Sequence, residues 1–113
     1  MTLIKVIIPA FNEEDSIGLV VRDIPRHVNE IIVVSNNSTD QTETRAAEAG
    51  ATVLREDRPG YGYACLKGMD YIASTSLSDP SKKPDMIVFL DGDYSDYPEE
   101  LTKIIAPIIE DNI

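Results

Sequence analysis

Two periodicities alternate along this chain, and their alternation limits what it can fold into. Short runs at 3–9 (LIKVIIP), 30–35 (EIIVVS), 51–54 (ATVL) and 86–90 (MIVFL) are apolar at nearly consecutive positions and rich in β-branched residues. Such runs read as strands buried on both faces. Between them apolar residues recur at helical spacing. The first helix carries Ile17, Val20, Val21 and Ile24, with Asn12 as its expected N-cap and Asp15 three residues on. Asp40, followed by Glu43, opens a second helix that stops at Gly50. A third spans 63–74 through Ala64, Leu66, Met69 and Ile72, and 77–85 is turn-rich and reads as a surface loop. Pro98 starts a fourth helix, with Leu101, Ile104, Ile105 and Ile108 on one face. This order predicts an α/β fold, a mostly parallel sheet with helices on both faces.

In sheets of that kind ligands bind beyond the carboxyl ends of the strands. Three segments occupy those ends: Pro9-Ala10-Phe11-Asn12-Glu13, Ser35-Asn36-Asn37 and Asp91-Gly92-Asp93. The search for chemistry therefore narrows to them and to the loop before the third helix.

Charge restricts the partners. Twenty acidic and ten basic residues leave a formal charge of −10, which repels a nucleic-acid backbone. A small anion can still bind if a cation or backbone N–H groups mediate the contact. At 113 residues the chain suits one domain. It contains no apolar run near the roughly 20 residues needed to cross a bilayer, and its start lacks the pattern of a signal peptide. The single Cys65 cannot form an internal disulfide, so the expected location is cytoplasmic.

Asp91-Gly92-Asp93 places two carboxylates at the mouth of an apolar strand, where they repel each other unless neutralised. A hard cation, Mg²⁺ or Mn²⁺, would do so and would complete its shell with substrate phosphates. Gly92 lets the backbone approach a ligand closely. Taken alone, the tripeptide reads equally well as a solvated turn. In the first segment the backbone of Pro9, the ring of Phe11 and the carboxylate of Glu13 suit a nucleoside, although a strand end with helix-start acids is the simpler reading of that segment by itself. Arg58-Pro59-Gly60-Tyr61-Gly62 precedes a helix start, where glycines permit tight turns and phosphates are attracted; Arg58 has the geometry to reach one. A surface Arg in a Gly-containing loop accounts for that segment equally well. His27 reads as a surface residue and Cys65 as a small core residue.

The segments VIIPAFNEEDSI, EIIVVSNNSTDQT and FLDGDYSDYPEEL, in this order, together resemble family 2 glycosyltransferases with a GT-A fold. RPGYGYACLKGMDYI is similar to the polyprenyl-phosphate (dolichyl-phosphate-type) hexosyltransferase branch. The resemblance implies a Rossmann-like nucleotide-binding half and transfer of a sugar from a UDP- or GDP-sugar with inversion at the anomeric carbon. It implies a base and ribose pocket at Pro9, Phe11 and Glu13, and places Arg58 on the nucleotide side of the cleft. It makes Asp91 and Asp93 metal ligands, with Ser95 where related enzymes add another. The acceptor stays open, a polyprenyl phosphate being the candidate which that branch suggests. The middle motif of the family carries Asp where this chain has Ser35 and Asn36, a position that contacts the base, so Ser35 joins the expected nucleotide-sugar contacts.

The resemblance covers residues 1–113 as the donor-binding part of a glycosyltransferase domain, with the acceptor-binding half and the general base expected beyond Ile113. On this expectation the chain alone binds donor and turns over little, while a longer protein would be membrane-associated in the polyprenyl branch. An absent second half would leave apolar surface that self-association would cover. Two rival readings are a non-catalytic nucleotide-binding or interaction module of the same fold and a sugar-phosphate nucleotidyltransferase. The second is disfavoured because strand one leads into Pro-Ala-Phe-Asn-Glu rather than a Gly- and Arg-rich phosphate loop.

Overall fold

Four of the apolar runs pair into one parallel sheet. The computed structural model describes residues 3–90 and the backbone of residues 105–107. The elements are β1 (Ile4–Ala10), α1 (Ile17–Asp23), β2 (Glu30–Asn36), α2 (Thr42–Glu48), β3 (Thr52–Glu56), α3 (Tyr61–Ser78), a 3-10 turn (Pro80–Lys82), β4 (Met86–Phe89) and β5 (Ile105–Pro107). The sheet order is β3-β2-β1-β4-β5, with β5 antiparallel to β4 and the other pairs parallel. This is the α/β arrangement that the alternating pattern predicts.

The connections dictate which face each helix covers. The chain steps from β1 to β2 to β3 in one direction, then returns to place β4 on the other side of β1. Parallel crossovers are right-handed, so reversing the direction of travel moves the crossover helix to the opposite face. One core accordingly gathers Val6, Ile8, Ile17, Val20, Val21, Val33, Ala46 and Val88 around α1 and α2. The other gathers Ile7, Ile32, Val34, Ala64, Ile72 and Ile87 under α3. Alternate residues of β1 and β2 feed opposite cores, and full burial of such a side chain contributes about 1.5–3 kcal/mol.

Helix α3 buries a different stripe from the one its apolar residues suggest. Leu66 and Met69 are exposed, while Ala64, Gly68 and Ile72 face the sheet at intervals of four residues. A Cβ on Gly68 would lie 2.8 Å from Ile7 Cγ2, inside normal contact, so the glycine sets how closely helix and sheet approach. Ile7 is fully buried and has no room to retreat. Gly68→Ala is therefore expected to destabilise the fold by about 1 kcal/mol, an overpacking loss of about 1–3 kcal/mol offset by about 1 kcal/mol of helix propensity. Urea unfolding midpoints measure it; a rise in stability would mean the contact relaxes freely.

Three local expectations are corrected. Asn12 does not cap α1, which starts at Ile17; it adopts φ +50° and turns its side chain to the loop after β2 instead. Glu43, expected to support the helix start beside Asp40, instead turns its carboxylate to Arg55 and accepts from its Nη1 at 2.6 Å. Residues 105–107 form an edge strand where a fourth helix was expected. Pairing with β4 supplies the backbone bonds, and Pro107, which lacks an N–H, suits an edge strand better than a helix interior. The remainder of the expected helix, 98–104 and 108, lies outside the described residues. His27 is exposed as expected, and Cys65 is half-buried rather than in the core.

At the amino-terminal edge of the sheet Lys5 is buried and its Nζ lies 3.1 Å from Glu30 Oε1. Glu30 Oε2 accepts from the hydroxyls of Tyr71 at 2.6 Å and Thr52 at 3.0 Å. One carboxylate thus joins β1, β2, β3 and α3. Burial raises its pKa, but the hydrogen bonds from Tyr71, Lys5 and Thr52 outweigh that effect and the net shift is downward.

Candidate functional site

A topological switch point is the preferred place for a ligand in an open α/β sheet. Here it falls between β1 and β4, the neighbours from which the chain departs in opposite directions. The segment after β1 leaves the sheet at that point. Leu90 N–H still donates to Ile7 O at 3.1 Å, so the chain runs beside β1 up to the residue before Asp91.

The loop after β1 is held by the loop after β2. Asn12 N–H donates to Ser38 Oγ at 3.1 Å, and Thr39 N–H donates to Asn12 Oδ1 at 2.8 Å. Glu13 N–H donates to Thr42 Oγ1 at 2.8 Å, and Glu14 N–H donates to Asp40 Oδ2 at 3.3 Å. Gln41 N–H returns a bond to Glu14 Oε1 at 3.0 Å. Asn12 and Asn37, at φ +50° and +59°, supply the left-handed backbone that these turns need, a conformation Asn tolerates better than most residues. Asp40 also accepts from the backbone and hydroxyl of Thr42. Burial raises its pKa, while bonds from Thr42 and Glu14 prevail and lower it overall, so it remains an acceptor. The outcome is a fixed platform from which Phe11 projects, 58% exposed.

The remaining expected contacts divide. Pro9 is buried within β1, Glu13 is half-buried with its carbonyl accepting from Ser16 and Ile17, and Ala10 pairs in register with Ser35. Pro9, Phe11, Glu13 and Ser35 thus share two neighbouring strand ends. Ser35 is fully buried, however, and its hydroxyl has no hydrogen-bond partner among the described residues. Arg58 follows β3, with β2 between it and β1. Its guanidinium grips Glu56 through Nε to Oε2 at 2.9 Å and Nη2 to Oε1 at 3.0 Å, and lies 4.3 Å from the Tyr63 ring centre. Those bonds, with the Arg58 backbone N–H, hold the Glu56 carboxyl at about 2. Arg58 is thereby committed within its own loop.

Ser38, Thr42 and Glu56 hold these loops together although the sequence reading gave them no role, and Asn36, placed by it at a strand end, was given no partners. A polar residue ending an otherwise apolar strand was the available signal for Asn36. The others reveal themselves only through partners distant in sequence.

Asp91, Gly92, Asp93 and Ser95 lie outside the described residues. Among the described residues no group of three or more His, Cys, Asp or Glu could hold a metal ion. Asp91, Asp93 and Ser95 offer oxygen donors alone, the set that a hard divalent cation takes. Among the described residues no helix is long and apolar enough to cross a membrane.

Comparisons with known proteins agree with this fold. The family model for Glycosyl transferase family 2 matches residues 5–113. The chain is 37% identical over 105 residues to an uncharacterized glycosyltransferase of Mycobacterium tuberculosis, covering 93% of this chain and 43% of that protein. It is 33% identical over 119 residues to glucosyl-3-phosphoglycerate synthase of Mycolicibacterium smegmatis, covering 94% of this chain and 36% of the relative. The structure is similar to Mycobacterium tuberculosis glucosyl-3-phosphoglycerate synthase solved with Mn²⁺, UDP-glucose and phosphoglyceric acid. That match has a TM-score of 0.64 and 35% identity, over 80% of this chain and 33% of that one. A further structure of that synthase contains Mg²⁺ and UDP, again with a TM-score of 0.64. The chain therefore spans less than half the length of these relatives.

Proposed function

The chain belongs to glycosyl transferase family 2, and from that premise we propose that the intact protein transfers glucose from UDP-glucose to a small phosphorylated hydroxy acid or polyol. The observation that carries the reading is the β1–β4 switch point, where the hydrogen-bonded loop after β1 presents Phe11 and β4 leads in sequence to Asp91-Gly92-Asp93. Phe11 stacks on the base, with the Pro9 backbone and Glu13 beside the ribose. Ser35 contributes through its place at the end of β2 rather than through its buried hydroxyl. Arg58 borders the nucleotide side and reaches a phosphate only by leaving Glu56. Gly92 leaves room for the diphosphate, and Asp91 and Asp93, with Ser95, hold Mn²⁺ or Mg²⁺. A bound divalent cation offsets charge that develops on the leaving diphosphate.

The solved synthase that shares this fold holds UDP-glucose and phosphoglyceric acid. UDP is accordingly preferred over GDP, and a small phosphorylated acceptor over the polyprenyl phosphate that the 58–72 segment suggests. Calorimetry with UDP-glucose and GDP-glucose, with and without Mn²⁺, tests the donor. Binding of UDP-glucose that requires the metal is expected. An absence of nucleotide binding under every condition would leave the non-catalytic module as the better reading. Product formation with 3-phosphoglycerate, glycerol 3-phosphate or a polyprenyl phosphate then separates the acceptors, and the anomeric proton coupling of the product tests inversion.

A further inference from the structure

We propose that Asn36 is a positioning residue whose buried carboxamide sets the turn at 56–60 and the start of α3, and through them the affinity for the donor. The inference rests on the donor-binding reading above. Asn36 is the last residue of β2 and only 8% exposed. Its Nδ2 donates to Arg58 O at 2.8 Å and, more weakly, to Glu56 O at 3.4 Å, while its Oδ1 accepts from Gly60 N–H at 3.0 Å. One side chain therefore joins the end of β2 to the end of β3 and the N-cap of α3.

The chemistry requires an amide. Two carbonyl oxygens and one N–H converge on the position, and only a group that both donates and accepts satisfies all three. A carboxylate would still accept from Gly60 but would face two carbonyl oxygens without a proton to offer them. Gly60 has φ +125°, a backbone conformation that residues with a Cβ rarely adopt, and no side chain caps α3. The Asn36 amide acts as that missing anchor. The same turn carries Arg58, locked to Glu56 and stacked on Tyr63. Ala10 and Ser35 are partners in register, so the anchor also lies next to the end of β1, where the Phe11 platform begins. A shift of Asn36 thus moves the second wall of the mouth relative to the first.

Asn36→Asp in the intact protein nearly preserves shape and replaces the two N–H donors with a carboxylate oxygen facing the Glu56 and Arg58 carbonyls. With Mn²⁺ present, KM for UDP-glucose is expected to rise about tenfold with kcat changed less than about twofold, the pattern of lost binding common to ground and transition states. Hydrogen exchange of 57–63 should accelerate while β1 and β2 stay protected. Gly60→Ala, on an exposed residue, disturbs the same turn from its other end, should raise KM similarly, and decides the question if the Asp variant fails to fold. A faster-exchanging turn with unchanged KM, or protection lost evenly across the sheet, overturns the positioning role. Failure of the unsubstituted protein to bind UDP-glucose removes the donor reading and this inference together, whereas normal binding with an insensitive turn removes this inference alone.

Discussion

Replacing Asp93 by alanine is expected to weaken Mn²⁺-dependent binding of UDP-glucose at least tenfold, a loss of about 1.4 kcal/mol or more, with little change in folding stability. The chain carries a formal charge of −10, so a diphosphate approaches an unfavourable field unless a cation intervenes. Asp91 and Asp93 come shortly after β4 in sequence, β4 borders the switch point, and both offer oxygen donors suited to a hard divalent ion. Asp91→Asn should produce a smaller loss, because the amide keeps one oxygen to offer the metal. Calorimetry at several Mn²⁺ concentrations separates the metal effect from the nucleotide effect. Undiminished metal-dependent affinity in Asp93→Ala would remove that residue from the metal site.

The largest effect on stability is expected from Glu30→Ala, a loss of about 3 kcal/mol, at the lower end of what breaking a buried ion pair costs. The substitution strands the buried Lys5 ammonium and withdraws the acceptor used by Tyr71 and Thr52. Against a total stability of about 5–15 kcal/mol for a typical domain, this is a large fraction. Denaturant midpoints at unchanged m value provide the measurement. The double variant Lys5→Met, Glu30→Leu should recover most of the loss, because an apolar pair carries no desolvation penalty. If Glu30→Ala alone is nearly neutral, the ion pair is not what secures this edge.

The same carboxylate gives a pH dependence whose sign follows from its shift. The folded pKa of Glu30 lies below the ordinary value of 4.5. Its stabilising contribution is therefore complete above 4.5 and declines as pH falls through the folded value. Glu56, held at about 2 by Arg58, behaves in the same direction to lower pH. Neither group changes charge near neutrality, so the edge pair and the turn at 56–60 stay intact there.

The parallel part of the sheet was legible because it follows from local periodicity. Runs such as VIIP and EIIVV can be buried only as central strands, and parallel strands carry their loops to one edge. The Asn-Asn-Ser-Thr-Asp stretch announced a turn by composition, yet not which loop it would bind. That required β1 and β2 to be neighbours, since Asn12 and Thr39 are 27 residues apart. The roles of Asn36, Glu56 and Arg58 stayed hidden for the same reason: the partners of a buried polar group depend on which strand ends lie side by side.

Helix α3 shows the limit most plainly. Hydrophobicity favoured Ala64, Leu66, Met69 and Ile72 as its inner face; Ala64 and Ile72 are buried, but close approach to Ile7 puts Gly68 beside them in place of Leu66 and Met69. The sequence by itself determined the four parallel strands and the α/β class, both consequences of spacing along the chain. Tertiary structure alone decided strand order, the face each helix presents and the pairing of buried polar groups. Those depend on contacts between residues far apart in sequence, where small residues and single hydrogen bonds outweigh local preference.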